Sequence, residues 1–402
     1  GGGIALKYVG SDSSSEGPLV PKTHDVVIRY IRSRPGPGGT TLSCCLSGIR
    51  MLGSDSSPSN YYNIILDHVS ASWSVDEVLT NWFGQSKVTV QWSIISQALN
   101  LSTHKDVEHG RGYLIGDGAK EISVHHNLFA HNKDRNPDWK GNTSGEVINN
   151  VIYNYGKHIG RNISGGTRLG DYDHTGPFFV NVIKNLYVKG LDWVSTGSHK
   201  GIGVTNDTNS SSLLYAKGNI GPYRTSDTMD DWIEVETESG TPNIRSNIPA
   251  ATLSGVGETP VASLKDVVLG NSLIKSGAGA TIGLDSNGNS FWRRDAVDDK
   301  IVNDTLNGIN GNPTGTYINC VELNTSNSNC DQTSEVAGGW PVLTSGTPYT
   351  DSDHDGMGDT WEVSYFSSLA RGSATNSSGD FDSDGYTDLE EFLNGTDPNA
   401  QN

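Results

Sequence analysis

The chain has 402 residues, of which 28 are basic and 46 acidic, for a formal net charge of −18. That balance leaves no basic footprint for a nucleic-acid partner. No run of about 18 apolar residues occurs, which excludes an apolar transmembrane helix from the reading. Residues 351–402 hold nine Asp, three Glu and one Arg, a charge of −11, so the other 350 residues carry only −7. The length allows a large core and more than one unit. Gly1-Gly2-Gly3-Ile4 opens abruptly, like mid-domain sequence, so a segment is expected upstream. Cys320 and Cys330 flank a polar loop and can pair in an oxidising compartment, which favours a secreted protein; adjacent Cys44 and Cys45 strain a mutual bond.

In chain order, short β-branched runs begin at Val26, Ile64, Val88, Ile122, Val147 and Val180, separated by Gly, Asn, Asp and Ser turns. Their starts fall about 25–40 residues apart, which predicts a repeat architecture. Crossover helices of about a dozen residues are missing between them, so a solenoid of parallel strands fits better than a doubly wound sheet, with a sandwich or barrel as the alternative. Asp67, Asn127, Asn150 and Asn185 recur in or just after the runs and are expected to bond neighbouring turns as a ladder. Helix signals are weak until the tail. After about residue 218 the strand signal fades, and 219–340 reads as either a flap or a separate small β unit. Residues 331–350 read as a linker, giving a body at 1–340 and a tail module at 341–402.

Three stretches are dense in chemistry: Asp67 to Glu77, His109 to Gly116, and His125 to Lys140. On successive coils they lie side by side and set paired carboxylates against cations. His125 and His126 suggest a metal, but adjacent strand residues point to opposite faces, which argues against zinc there.

In the tail, Asp351, Asp353, Asp355, Asp359 and Glu362 occupy positions 1, 3, 5, 9 and 12 of a twelve-residue loop with Gly356 at 6. Asp380, Asp382, Asp384, Asp388 and Glu391 repeat the spacing around Gly385. This is the ligand spacing of a calcium loop, which collects many hard oxygens around one ion. Trp361, Phe366, Phe392 and Leu393 are expected to pack two short helices together. The tail resembles thrombospondin type 3 and dockerin-like repeats. The dockerin resemblance would imply a protein partner, but a structural role is the favoured reading.

The phrases VVIRYIRSRPG, IILDHVSASWSVDEVLT, HHNLFAHNKDRNPDWKG and VINNVIYNYG resemble the pectate lyase-like polysaccharide lyases of family 1 over roughly residues 1–190. The resemblance implies a right-handed parallel β-helix and β-elimination on a uronic acid polymer, pectate or polygalacturonate first. It implies that Arg135 takes the C5 proton and that Arg111, Lys140 and Trp139 bind the sugar substrate. The cation at Lys140 stands where the family has Arg. Asp76 matches one calcium carboxylate and Glu77 sits beside it, whereas the next matching position falls near Thr80 and no upstream ligand is evident. The cofactor expected is calcium, the substrate an acidic polysaccharide, and the protein a secreted monomer. Two rivals remain: a β-helix hydrolase using Asp67, Asp76 and Glu77 as acid and base, and a non-catalytic carbohydrate-binding protein.

Overall fold

A computed structural model describes residues 3–9, 17–38, 46–54, 60–106, 108–116, 118–157, 163–170, 176–193, 199–252, 254–270, 277–322, 336–369 and 378–401. The chain forms two compact units. The larger joins Ala5–Ala280 to Ala296–Trp340, and the smaller gathers Thr281–Asp295 and Pro341–Asn402 with the N-terminal residues.

The larger unit is a parallel β-helix. Each coil gives one strand to each of three sheets, and each sheet has seven parallel strands. The first sheet carries Ile49–Leu52, Glu77–Trp82, Arg111–Ile115, Asp138–Trp139, Thr167–Leu169, Ile202–Val204 and Val235–Thr237. The second runs from Val26–Arg29 to Leu213–Lys217, and the third from Ala5–Leu6 to Leu186–Val188. Inward-pointing Ile, Val and Leu from these strands stack into one continuous core, with Ile64, Val88, Ile122 and Val147 among its buried members.

Corners between sheets use single left-handed residues. Tyr30, His68, Trp92, His126, Asn149 and Lys184 all have φ between 47° and 59°, one per coil at the turn from the second sheet to the third. Trp73, Gln97, His131 and Asn154 repeat the device at the next corner. Non-glycine residues enter this region at a cost, which here is repeated in register along the solenoid. The left-handed turn also cancels strand alternation. His125 and His126 therefore do not diverge: their Nδ1 atoms meet at 3.0 Å, contrary to the expectation of opposite faces.

Inside that corner runs the asparagine ladder. Asn127 N donates to Asn150 Oδ1 at 2.8 Å, Asn150 N to Asn185 Oδ1 at 2.9 Å and Asn185 N to Asn219 Oδ1 at 3.0 Å. Every member is fully buried, so the ladder satisfies amide groups that the turn would otherwise orphan. Asp67 lies outside this asparagine ladder but also bonds neighbouring coils: its carboxylate accepts from Arg29 Nε at 2.5 Å and Gln91 Nε2 at 2.9 Å.

The segment after residue 218, read as either a flap or a separate small β unit, gives the first sheet its last strand, Val235–Thr237, before turning helical. It supplies helix α1 (Leu264–Leu269) and helix α2 (Ala296–Ile309). Leu264, Val268, Leu269, Ile301 and Val302 bury themselves against Ile94, Leu128, Val151 and Tyr153 of the third sheet. Asp298 of α2 is fully enclosed and accepts from Arg34 Nη2 at 2.8 Å and Ser70 Oγ at 2.6 Å, which locks the helix onto early coils. At the far end of the solenoid, buried Arg224 donates to Asn219 O at 2.9 Å and pairs with Asp231 at 3.0 Å. Irregular chain covers the last strands there through single bridges, Leu186 to Ile220 and Leu214 to Arg245.

The smaller unit holds an antiparallel pair, Ile282–Leu284 with Ser290–Trp292, and two short helices, α3 (Asp359–Phe366) and α4 (Asp388–Asn394). Trp361 meets Phe366 at 5.6 Å and Phe392 at 5.2 Å between ring centres. Leu393, expected in this cluster, is 41 % exposed. Cys320 is in a disulfide; Cys330, Cys44 and Cys45 lie outside the described residues. Among the described residues no helix is long and apolar enough to cross a membrane.

Candidate active site

The first sheet gathers the chemistry. Its pairing register sets Arg111 opposite Glu77 and Asp138 opposite Arg168, so strands from four successive coils bring these side chains into neighbouring rows. Arg135 sits at the corner just before the strand Asp138–Trp139, with φ +64°. Two backbone bonds pin it: Gly112 N to Asp134 O at 2.9 Å and Tyr113 N to Arg135 O at 2.7 Å. Gly112 is required here, because a Cβ would lie 2.5 Å from Arg135 O. Asn136 Nδ2 ties the same loop to Asn132 O at 3.1 Å and Gly165 O at 2.9 Å.

Charges alternate through the buried part of this face. Arg135 Nη1 donates to Glu77 Oε1, and its Nε lies 3.6 Å from Asp138 Oδ2. Arg168 Nη2 donates to the same Asp138 oxygen, and its Nε lies 3.9 Å from Asp134 Oδ1. All five side chains are buried. Removing one member from such a set strands the others in a medium that solvates charge poorly. Burial alone lowers the proton affinity of Arg135, but Glu77, Asp138 and Asp134 outweigh it and hold the guanidinium above its ordinary value. Burial and the neighbouring Asp76 push the Glu77 carboxyl up. Arg111 behaves in the opposite way to Arg135: burial and then the Arg135 charge lower its proton affinity. It has no ion pair within 4 Å among the described residues.

The remaining sequence-derived candidates fall into different environments. Lys140 is buried, with its ammonium 5.5 Å over the Trp82 ring. Trp139 corrects the expectation of a sugar contact. It alternates with Asp138, points inward and is 0 % exposed within the core, so its ring cannot face a sugar. Half-buried Trp82, under that ammonium, keeps solvent access. Asp67 belongs to the second sheet, away from Asp76 and Glu77. Hydrogen bonds from His68 and Gln91 and the Arg29 charge hold its carboxyl below the usual range in spite of burial, the wrong direction for a general acid.

Asp76 is engaged by His109 Nε2 at 2.8 Å, and the His109 ring stacks on His104 at 3.6 Å. Thr80, the weak position in the implied calcium set, lies opposite Arg50 and Leu114. The surroundings of Asp76 and Glu77 are thus two imidazoles and several guanidiniums, which do not make the oxygen cage that calcium takes. The tail is different. Carboxylate oxygens of Asp351, Asp353 and Asp355 lie within 4.8 Å of one another, as do those of Asp380, Asp382 and Asp384. Asp351 Oδ1, Asp353 Oδ1, Asp355 Oδ2 and Glu362 Oε2 are buried with no hydrogen-bond partner, as are Asp380 Oδ1 and Asp382 Oδ2. Gly356 and Gly385 make the turns at φ +96° and +103°. Asp359 differs from its neighbours: Ser352 N and Oγ occupy its oxygens at 2.8 and 2.7 Å. The donor set fits calcium.

Sequence reading missed Arg168, Asp134 and Asp138 as site members, and His104 altogether. The signal for Arg168 was positional, since it falls one coil beyond Asp138 in the same row.

No family model matches the chain. It is 39 % identical over 177 residues to the probable pectate lyase C of Aspergillus oryzae, covering 44 % of this chain and 36 % of that protein. The corresponding protein of Emericella nidulans is 34 % identical over 197 residues, 45 % of this chain and 42 % of the relative. The chain therefore spans less than half the length of the curated relatives it matches. Among solved structures, it is similar to a Bacillus subtilis pectate lyase variant (12 % identity, TM-score 0.35, 65 % of this chain and 69 % of that one). A pectate lyase bound to a hexasaccharide gives 11 % identity and a TM-score of 0.36 over 65 % and 70 % of the two chains.

Proposed function

We propose that this chain is a polysaccharide lyase that cleaves a uronic acid polymer, polygalacturonate first, by β-elimination. The observation that carries the reading is the buried Arg135, fixed at the corner of the first sheet with Arg111 in the neighbouring row. The probable pectate lyases of Aspergillus and Emericella, identical at 34–39 % of the aligned positions, support it.

In this reading Arg135 takes the C5 proton of a uronate. The C–H electron pair becomes the C4=C5 double bond, the C4–O bond breaks, and the departing oxygen is protonated by solvent. Arg111 and Lys140 face the charge that develops on the substrate carboxylate and stabilise it where water is excluded. Arg111 suits this role because no carboxylate of the described residues already holds its guanidinium. Arg135 acts as a base only when neutral, and Glu77 and Asp138 oppose that state. Turnover should accordingly climb with pH through the alkaline range. No step is routed through calcium at this face, since the donor set there does not suit it.

Calcium belongs instead to the tail loops, where Asp351, Asp353, Asp355 and Glu362, and then Asp380, Asp382, Asp384 and Glu391, would hold one ion each and order the module. Asp359 and Asp388 would act through hydrogen bonds at the start of their helices. The disulfide at Cys320 supports a secreted protein, because such bonds persist in oxidising compartments.

The test is turnover of polygalacturonate at alkaline pH, following the ultraviolet absorbance of unsaturated product. Absorbance that disappears in Arg135→Lys supports the lyase. New reducing ends without absorbance would mean hydrolysis, and binding without either product would mean a lectin-like role.

A further inference from the structure

Asp76, His104 and His109 come together beside the arginine row in a way that the reaction does not use. One nitrogen of each imidazole and a carboxylate oxygen of Asp76 all lie within 4.8 Å of one another. We propose that these three residues bind a divalent transition metal ion, zinc or a metal with similar liking for imidazole. The proposal stands on this geometry and not on the reaction assigned above.

The donor set comes first. Two neutral imidazoles with one carboxylate favour zinc, nickel, copper or iron, whereas calcium and magnesium select oxygen alone. Metal–ligand bonds of about 2.0–2.2 Å set neighbouring donors about 3.4 Å apart around a tetrahedral ion. Asp76 Oδ1 and His109 Nε2 stand at 2.8 Å, so a small opening of the pair admits the ion in place of the shared proton.

Burial supplies the second observation. His109 is 2 % exposed and His104 4 % exposed, so neither ring is a loose surface group. His109 spends one nitrogen on Asp76, and its Nδ1 is buried with no hydrogen-bond partner.

An outer support is also present. The Asp106 backbone N–H donates to His104 Nδ1 at 3.1 Å, and the Asp106 carboxylate stands 3.8 Å from the same nitrogen. Binding a metal through the other nitrogen moves the imidazole proton to Nδ1, which then exchanges the amide for the Asp106 carboxylate as its partner. That carboxylate–histidine–metal relay would fix the tautomer and orientation of the ligand. Three protein ligands leave a coordination position open, the pattern of sites that receive an exchangeable ligand.

The experiment uses the full chain, stripped with chelator and then held in saturating calcium so that the tail loops are filled. Cobalt(II) is the probe, read by its visible ligand-field bands and by metal analysis. One equivalent of cobalt taken up over the calcium, displaced by zinc, is the expected result. His104→Gln and His109→Gln should each abolish the bands while circular dichroism stays native, and Asp106→Ala should weaken uptake about 10- to 100-fold. Asp382→Asn in the tail should leave the bands unchanged. No uptake by the calcium-loaded chain, or equal uptake by folded His104→Gln and His109→Gln proteins, overturns the site. Lyase activity without cobalt uptake would sink the metal and spare the reaction; uptake without lyase activity would do the reverse.

Discussion

The β-helix and the tail loops both bury acidic groups, but they compensate them differently. In the helix every enclosed carboxylate of the site face meets a cation or an imidazole of the chain itself: Glu77 meets Arg135, Asp138 meets Arg168, and Asp76 meets His109. In the tail, carboxylates converge on one another, and several oxygens have no partner at all. Burial together with the surrounding Asp carboxylates pushes Glu362 up to about 7, far from an ordinary Glu. A region that closes its own charge balance can be rigid without help. A region of unanswered oxygens needs an ion before it can be.

The largest expected break in this contrast is at Arg135. Arg135→Ala strands Glu77 and should cost about 3–5 kcal/mol of stability and about 10²–10⁴-fold in turnover. Adding Glu77→Gln should restore much of the melting temperature while activity stays lost, which separates the two effects in one pair of proteins. Removal of calcium by a calcium-selective chelator should act only on the tail. Calcium at 100 times its dissociation constant stabilises a site by about 2.7 kcal/mol, so hydrogen exchange around Trp361 should accelerate with chelator while the core strands keep their protection.

A smaller effect is expected within the helix. Asn150→Ala removes a rung that both accepts from Asn127 and donates to Val124 O, and should cost about 2 kcal/mol in denaturant melts. An unchanged midpoint would mean that water replaces the rung. The last concerns pH. Burial lowers His125 and His126 to about 4, below the unfolded value near 6.5. The unfolded chain therefore binds more protons between these values, and stability should fall as pH drops from about 6.5 to 4. His125→Gln with His126→Gln should flatten that slope.

How much of this was legible beforehand follows from strand length. The six β-branched runs that the sequence displays all belong to the second sheet, whose six central and early strands are four to six residues long, and they continue over the corner into the third. Third-sheet strands of two or three residues are too short to show a period of their own. The site sheet carries polar residues on its outer rows, so Arg135, Arg111 and Asp76 were found through resemblance and not through periodicity. Helix α2 was invisible because Asp298, Asp299, Asn303, Asp304 and Asn307 swamp its apolar stripe. Its Asp298 is polar for a reason that lies more than 200 residues away, at Arg34 and Ser70. Such long-range compensation leaves no local trace. Arg168 was hidden likewise, since only the coil register reveals that it stands over Asp138.

The irregular cover at Ile220 and Arg245 has a consequence for the life of the protein in solution. A stack of identical strand rows is a template, and an open last row invites another chain to extend it. Single bridges in place of a full strand, with Arg224 drawn across the last asparagine, deny a newcomer the regular ladder of amides and carbonyls it would need. At this end the second and third sheets therefore resist extension by the strands of another molecule.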